Sequence, residues 1–83
     1  MDAQRVLDLL IQGREIEFSF SGNRYFLAPL YQDGKFSNEY FIFDSNEKTV
    51  IFTGTLREIL SFEFAPEASL EKADHLFSLE YVM

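Results

Sequence analysis

The chain has 83 residues, 47% of them apolar, with ten phenylalanines, four tyrosines, no cysteine and a formal charge of −7. Length limits it to one hydrophobic core, and the apolar content is too high for a disordered chain. The missing cysteines exclude disulfides, thiolate chemistry and sulfur-based zinc sites. The acidity argues against binding to nucleic acid or to anionic membranes, both of which demand clustered Lys and Arg.

In chain order, Ala3, Val6, Leu7, Leu10 and Ile11 follow the spacing of one helical face, which predicts an amphipathic helix from Asp2 to Gln12. Asp2 can cap it and Gly13 can end it. This segment lacks the basic start and small-residue cleavage site of a signal peptide, and no apolar run in the chain approaches the ~20 residues of a membrane span. A reducing cytoplasmic setting is the expectation.

The period then changes to two. Ile16, Phe18 and Phe20 alternate with Glu15, Glu17 and Ser19, the pattern of a half-buried strand. Ser21-Gly22-Asn23 reverses the chain into a second strand from Arg24. Pro29 cannot donate to a ladder, so this strand must end, bulge or turn one flank outwards there. Asp33-Gly34 signals another turn, followed by a third strand around Glu39 to Phe43. Asp44 to Lys48 turns into a fourth, Thr49 to Thr53.

Thr55 and Glu58 fit a capping box, with Leu56, Ile59 and Leu60 forming the apolar face of a short helix. Pro66 interrupts the chain, and "SLEKADHL" from Ser69 is a second short helical candidate. The ending, "SLEYVM", reads as a strand returning to the sheet. The fold class expected is α+β, a single domain over residues 1–83: an N-terminal helix, a four-stranded antiparallel meander, one or two short helices and a short C-terminal strand.

The order of a leading amphipathic helix, the hairpin "GREIEFSFSGNRY", the segment "TLREIL" and the end "LEYVM" resembles small uncharacterised proteins of Gram-positive bacteria and their phages. In that group a helix precedes a "GxEIEFxYNGKxY" hairpin and an "SLEELL" helix. Gly13, Glu15, Ile16, Glu17, Phe18, Gly22 and Tyr25 match the first motif, and Leu56, Glu58, Ile59 and Leu60 match the second. The turn here is Ser-Gly-Asn instead of Asn-Gly-Lys, and the segment after Phe64 lacks the group's glycine. The matched residues are structural, and the resemblance implies no activity.

Catalytic equipment is sparse. His75 is the only histidine; Asp74 is adjacent and does not share its helical face, whereas Ser78 does. An exposed helix residue is the plainer reading. Asp44, Asn46 and Glu47 lack the ligand spacing of a calcium loop and read as turn formers. Glu15 and Glu17 share a strand face, with nothing in the sequence to perturb them. No catalytic residue, cofactor site or metal site is assigned, and the chain is expected not to be an enzyme.

The surplus of aromatics carries the functional expectation. "YFIF" at Tyr40 to Phe43 and "VIF" at Val50 to Phe52 put apolar groups on both faces of their strands, and so short a chain has little left to cover a second face. Tyr40, Phe41, Ile42 and Phe43 are therefore the candidate interface residues, in two pairs of which one must be core. The expected function is a non-enzymatic protein-interaction domain that binds a protein partner or forms a homodimer, without nucleic acid, membrane or cofactor. The alternative is a phage-type acidic inhibitor or nucleic-acid mimic acting on a host protein. It rests on Glu58, Glu63, Glu67, Glu71, Asp74 and Glu80, set against only Arg57 and Lys72.

Overall fold

The structure is a computed structural model and describes residues 3–72 and the backbone of residues 78–82. Helix α1 (Ala3–Ile11) leads into β1 (Ile16–Phe20), β2 (Asn23–Gln32), β3 (Lys35–Asp44), β4 (Thr49–Gly54), helix α2 (Leu56–Ser61) and β5 (Ser78–Val82). The strands form one sheet in the order β4-β3-β2-β1-β5, antiparallel at every pairing. This is the expected meander, with the last strand added beside the first.

The local signals account for the connections. Gly13 adopts φ 78°; its N–H donates to Leu10 O at 2.9 Å, and that of Arg14 donates to Leu9 O at 3.0 Å. This pair of bonds closes α1 as a Schellman motif, which a left-handed glycine makes inexpensive. Ser21-Gly22 and Asp33-Gly34 both have positive φ at the two turn positions, the geometry whose twist matches that of an antiparallel hairpin. At α2, Glu58 N–H donates to Thr55 Oγ1 at 3.3 Å and Thr55 N–H to Glu58 Oε1 at 2.8 Å, completing the capping box.

Pro29 does not end β2. The pairing of β1 with β2 stops at Leu27, so the flank beyond it needs no donor, while Pro29 pairs with Tyr40 on the β3 side. The helical candidate from Ser69 is a turn as far as Lys72, whose N–H donates to the buried Ser69 Oγ at 3.2 Å. The rest of that candidate, residues 73–77, lies outside the described residues.

Both helices and the segment after α2 cover one face of the sheet. Val6, Leu9 and Leu10 of α1, Ile59 of α2, and Phe64, Ala68 and Leu70 pack with the strand residues Ile16, Phe18, Tyr25, Leu27, Tyr40 and Ile42 in one cluster. Phe64 is an aromatic hub: its ring lies 5.5 Å from Phe18, 5.4 Å from Phe20 and 5.1 Å from Tyr25. The strand members of the cluster obey alternation, as residues facing one side of a pleat must.

Candidate functional site

Alternation also defines what the opposite face carries. On β2, Phe26, Ala28 and Leu30 point away from the core. On β3 these are Phe41 and Phe43, since Tyr40 and Ile42 point inwards and are buried. Cross-strand pairing aligns them: Phe26 is opposite Phe43, Ala28 opposite Phe41, and Val50 of β4 opposite Phe43. Phe26 and Phe41 meet with ring centroids 6.0 Å apart.

Among the described residues, Phe26, Leu30, Phe41, Phe43 and Val50 stand apart from the core cluster and from the side chains packed against it. The four larger side chains on β2 and β3 are partly buried, and Val50 is 52% exposed. Ala28, opposite Phe41, is buried although it lies on this outer side. The outer face therefore presents a continuous apolar strip across β2, β3 and β4, grading at β1 into Glu17 and Ser19.

The four candidate contact residues separate cleanly. Tyr40 and Ile42 belong to the core, at 7% and 0% exposure, which leaves Phe41 and Phe43 as the pair on the outer face. The "VIF" segment is also resolved. A bulge at Ile51 lets Phe52 pair with Ile42 and Val50 with Phe43, and both Ile51 and Phe52 pack against the core while Val50 points out.

Phe26 and Leu30 share this face although they lie outside the "YFIF" segment to which the sequence points. A signal for them exists: counting back from the two-residue turn at Asp33-Gly34 places Phe26 on the face of Phe41 and Phe43. The irregularity between Leu30 and Tyr31 shifts the pairing by two residues and so preserves the face.

Several polar groups among the described residues are committed to structure. Arg24 Nη1 lies 3.2 Å from Glu17 Oε1. Asp44 Oδ1 accepts from the N–H groups of Asn46 and Glu47 at 2.9 and 3.1 Å, and Asn46 Oδ1 accepts from Arg24 N–H at 2.9 Å. Asp44, Asn46 and Glu47 thus build the β3–β4 turn. Glu58 serves the α2 cap, and Glu63 Oε2 lies 3.7 Å from Lys72 Nζ.

No group of three or more His, Asp or Glu side chains among the described residues converges as a metal site would. His75 and Asp74 lie outside the described residues, as do the side chains of Ser78 and Glu80. The buried phenols of Tyr25 and Tyr40 are pushed above the ordinary tyrosine range. Burial is the main cause in each; for Tyr25 a hydrogen bond with Asn23 opposes it and the Asp44 charge adds to it, and for Tyr40 Tyr31 adds. Both stay protonated at neutral pH and act as core aromatics.

No helix among the described residues is long and apolar enough to cross a membrane. Comparison with protein families, curated proteins and solved structures finds no match to this chain.

Proposed function

We propose that this chain is a non-enzymatic protein-interaction domain that docks a protein through the outer face of its sheet, with Phe41 and Phe43 at the centre of contact. One observation carries the reading: both helices lie on the core side, and among the described residues the rings of Phe26, Phe41 and Phe43 stand apart from the core cluster, Phe26 meeting Phe41 across the strands. A contiguous apolar patch on a small domain is the usual mark of a partner site, and aromatic rings dominate the energetics of such sites. The reading includes a cytoplasmic setting and excludes nucleic-acid and membrane ligands, supported by the charge of −7. The resemblance of the hairpin and capping segments adds a bacterial or phage setting.

The acidic-mimic alternative needs its acids free on one surface. Glu58 is tied into the capping box and Glu63 is paired with Lys72, so the observations favour the apolar face.

Affinity capture with the wild-type chain and with Phe41→Ser and Phe43→Ser tests the reading. Wild type retains a protein, or itself, that both variants lose although they stay folded by circular dichroism. Retention unchanged by both substitutions overturns it.

A further inference from the structure

The identity of the partner can be approached through charge. By alternation, the ionisable residues of β1 to β4 that share the outer face are Glu17, Arg24, Lys35 and Glu39: two acids and two bases. Glu17 and Arg24 are already paired on it. The chain as a whole carries −7, and among the described residues the other nine acids, Glu15 at the β1 margin included, outnumber the other five bases, so their excess acid lies off these strand positions. Two copies meeting by the surfaces that carry it would oppose like charge, which costs free energy at any interface. Meeting by the outer faces, they oppose neutral, apolar strips.

We infer that the occupant of this face is a second copy of the chain, the two outer faces stacking as an intermolecular β-sandwich. The inference rests on the docking reading above and names its partner. Arg24 stands near the β1–β2 turn, and Glu39, paired with Leu30, lies six residues further along β2. A twofold axis lying in the interface across the strands reverses strand direction. It therefore sets the Arg24 end of one copy over the Glu39 end of the other and brings the Phe26 and Phe43 row over the Phe41 and Ala28 row. Stacked sheets sit ~10 Å apart, within reach of long charged side chains from both layers.

The size of the face sets the strength. With strands ~4.8 Å apart and ~3.3 Å per residue, the outer side of β1 to β4 projects roughly 350 Å² per copy. That is roughly 700 Å² in total, well inside the class below ~1,200 Å² in which interfaces are weak and transient. The dimer forms in the range of about 10 to about 500 μM.

Sedimentation equilibrium of the full chain from about 5 μM to about 1 mM reads this directly. Wild type passes from monomer to dimer. Phe43→Ser and Val50→Asp each raise the dissociation constant at least ~10-fold; Val50 is already exposed, so its variant keeps the fold. Glu39→Arg, which sets like charges together across the twofold, weakens the dimer, and adding Arg24→Glu restores it to within about threefold. A chain that stays monomeric at the highest concentration, a dimer indifferent to Phe43→Ser and Val50→Asp, or a charge swap that fails to restore association overturns the inference. Monomeric behaviour alone leaves the docking reading standing. That reading fails on a different result, equal destabilisation of the monomer by outer-face and core substitutions.

Discussion

Phe41 and Ile42 are neighbours in β3 and lie on opposite sides of the sheet: Ile42 is fully buried in the helix-covered core, whereas Phe41 is partly exposed and meets Phe26 at 6.0 Å. One peptide bond separates a residue of the core from one on the outer face of the sheet.

Their alanine variants differ accordingly in the isolated monomer. Ile42→Ala opens a cavity in a closed cluster and costs about 2 to 5 kcal/mol, a large share of the roughly 4 to 12 kcal/mol expected for a domain of this size. Phe41→Ala removes a ring from a partly open face and costs less, roughly 1.5 to 3 kcal/mol from the aromatic pair and the partial burial together. Denaturant unfolding at low micromolar concentration measures both. Equal losses would mean that the chain covers both sheet faces itself.

Gly54 has a steric reason to be glycine. A Cβ built there lies 2.8 Å from the Phe52 ring and 3.0 Å from Glu58 Oε1. Phe52 is itself held by stacking on Phe62 at 4.3 Å. Gly54→Ala therefore costs about 1 to 3 kcal/mol through overpacking, and the penalty falls in a Phe52→Leu background, where the obstructing ring atoms are gone. A double-mutant cycle of unfolding free energies tests the coupling.

Thr55→Ala removes the acceptor for Glu58 N–H and leaves the first turn of α2 without its cap. A cost of about 0.5 to 2 kcal/mol is expected, with Thr55→Ser nearly neutral, because the hydroxyl acceptor is retained. Thermal unfolding of the two variants beside wild type separates loss of the cap from loss of the methyl group.

The same cap makes stability depend on pH in a known direction. The Glu58 carboxyl is held below the ordinary glutamate range by accepting from the Thr55 backbone N–H and, to a smaller extent, by its side-chain bond with Thr55; slight desolvation opposes this. A carboxyl with a depressed folded value binds fewer protons folded than unfolded. Its contribution is complete above the ordinary value and is lost as pH falls through the folded one. Glu58→Gln retains a side-chain acceptor without the charge, so the wild-type advantage over this variant shrinks on acidification through that window. Urea titrations at a series of pH values would show a constant difference if the carboxylate played no part.

What was legible in the sequence is what depends on near neighbours. The Ile16, Phe18, Phe20 alternation, the glycines of the two tight turns, the Gly13 helix end and the Thr55–Glu58 box each specify geometry through steric limits or hydrogen bonds spanning a few residues. The meander follows from short turns between successive strands, and the described backbone matches it. β3 runs further than expected, from Lys35 to Asp44, because its first half gains pairing only from β2, through the register set at Asp33-Gly34.

Only the tertiary structure decided which side of the sheet the helices cover. "YFIF" offers two apolar faces of nearly equal merit, and alternation states only that Tyr40 and Ile42 oppose Phe41 and Phe43. The choice is made by elements distant in sequence: α1, α2 and the Phe64 to Leu70 segment all pack on the Tyr40 and Ile42 side, where Ile16, Phe18, Tyr25 and Leu27 complete the cluster. Likewise, the Ile51 bulge, which turns both Ile51 and Phe52 towards that cluster, depends on pairing with β3 and has no local signature in "VIF". Local sequence determines periodicity because backbone sterics and turn bonds act over a few residues. The assignment of faces is a cooperative outcome of burial, which is summed over the whole chain.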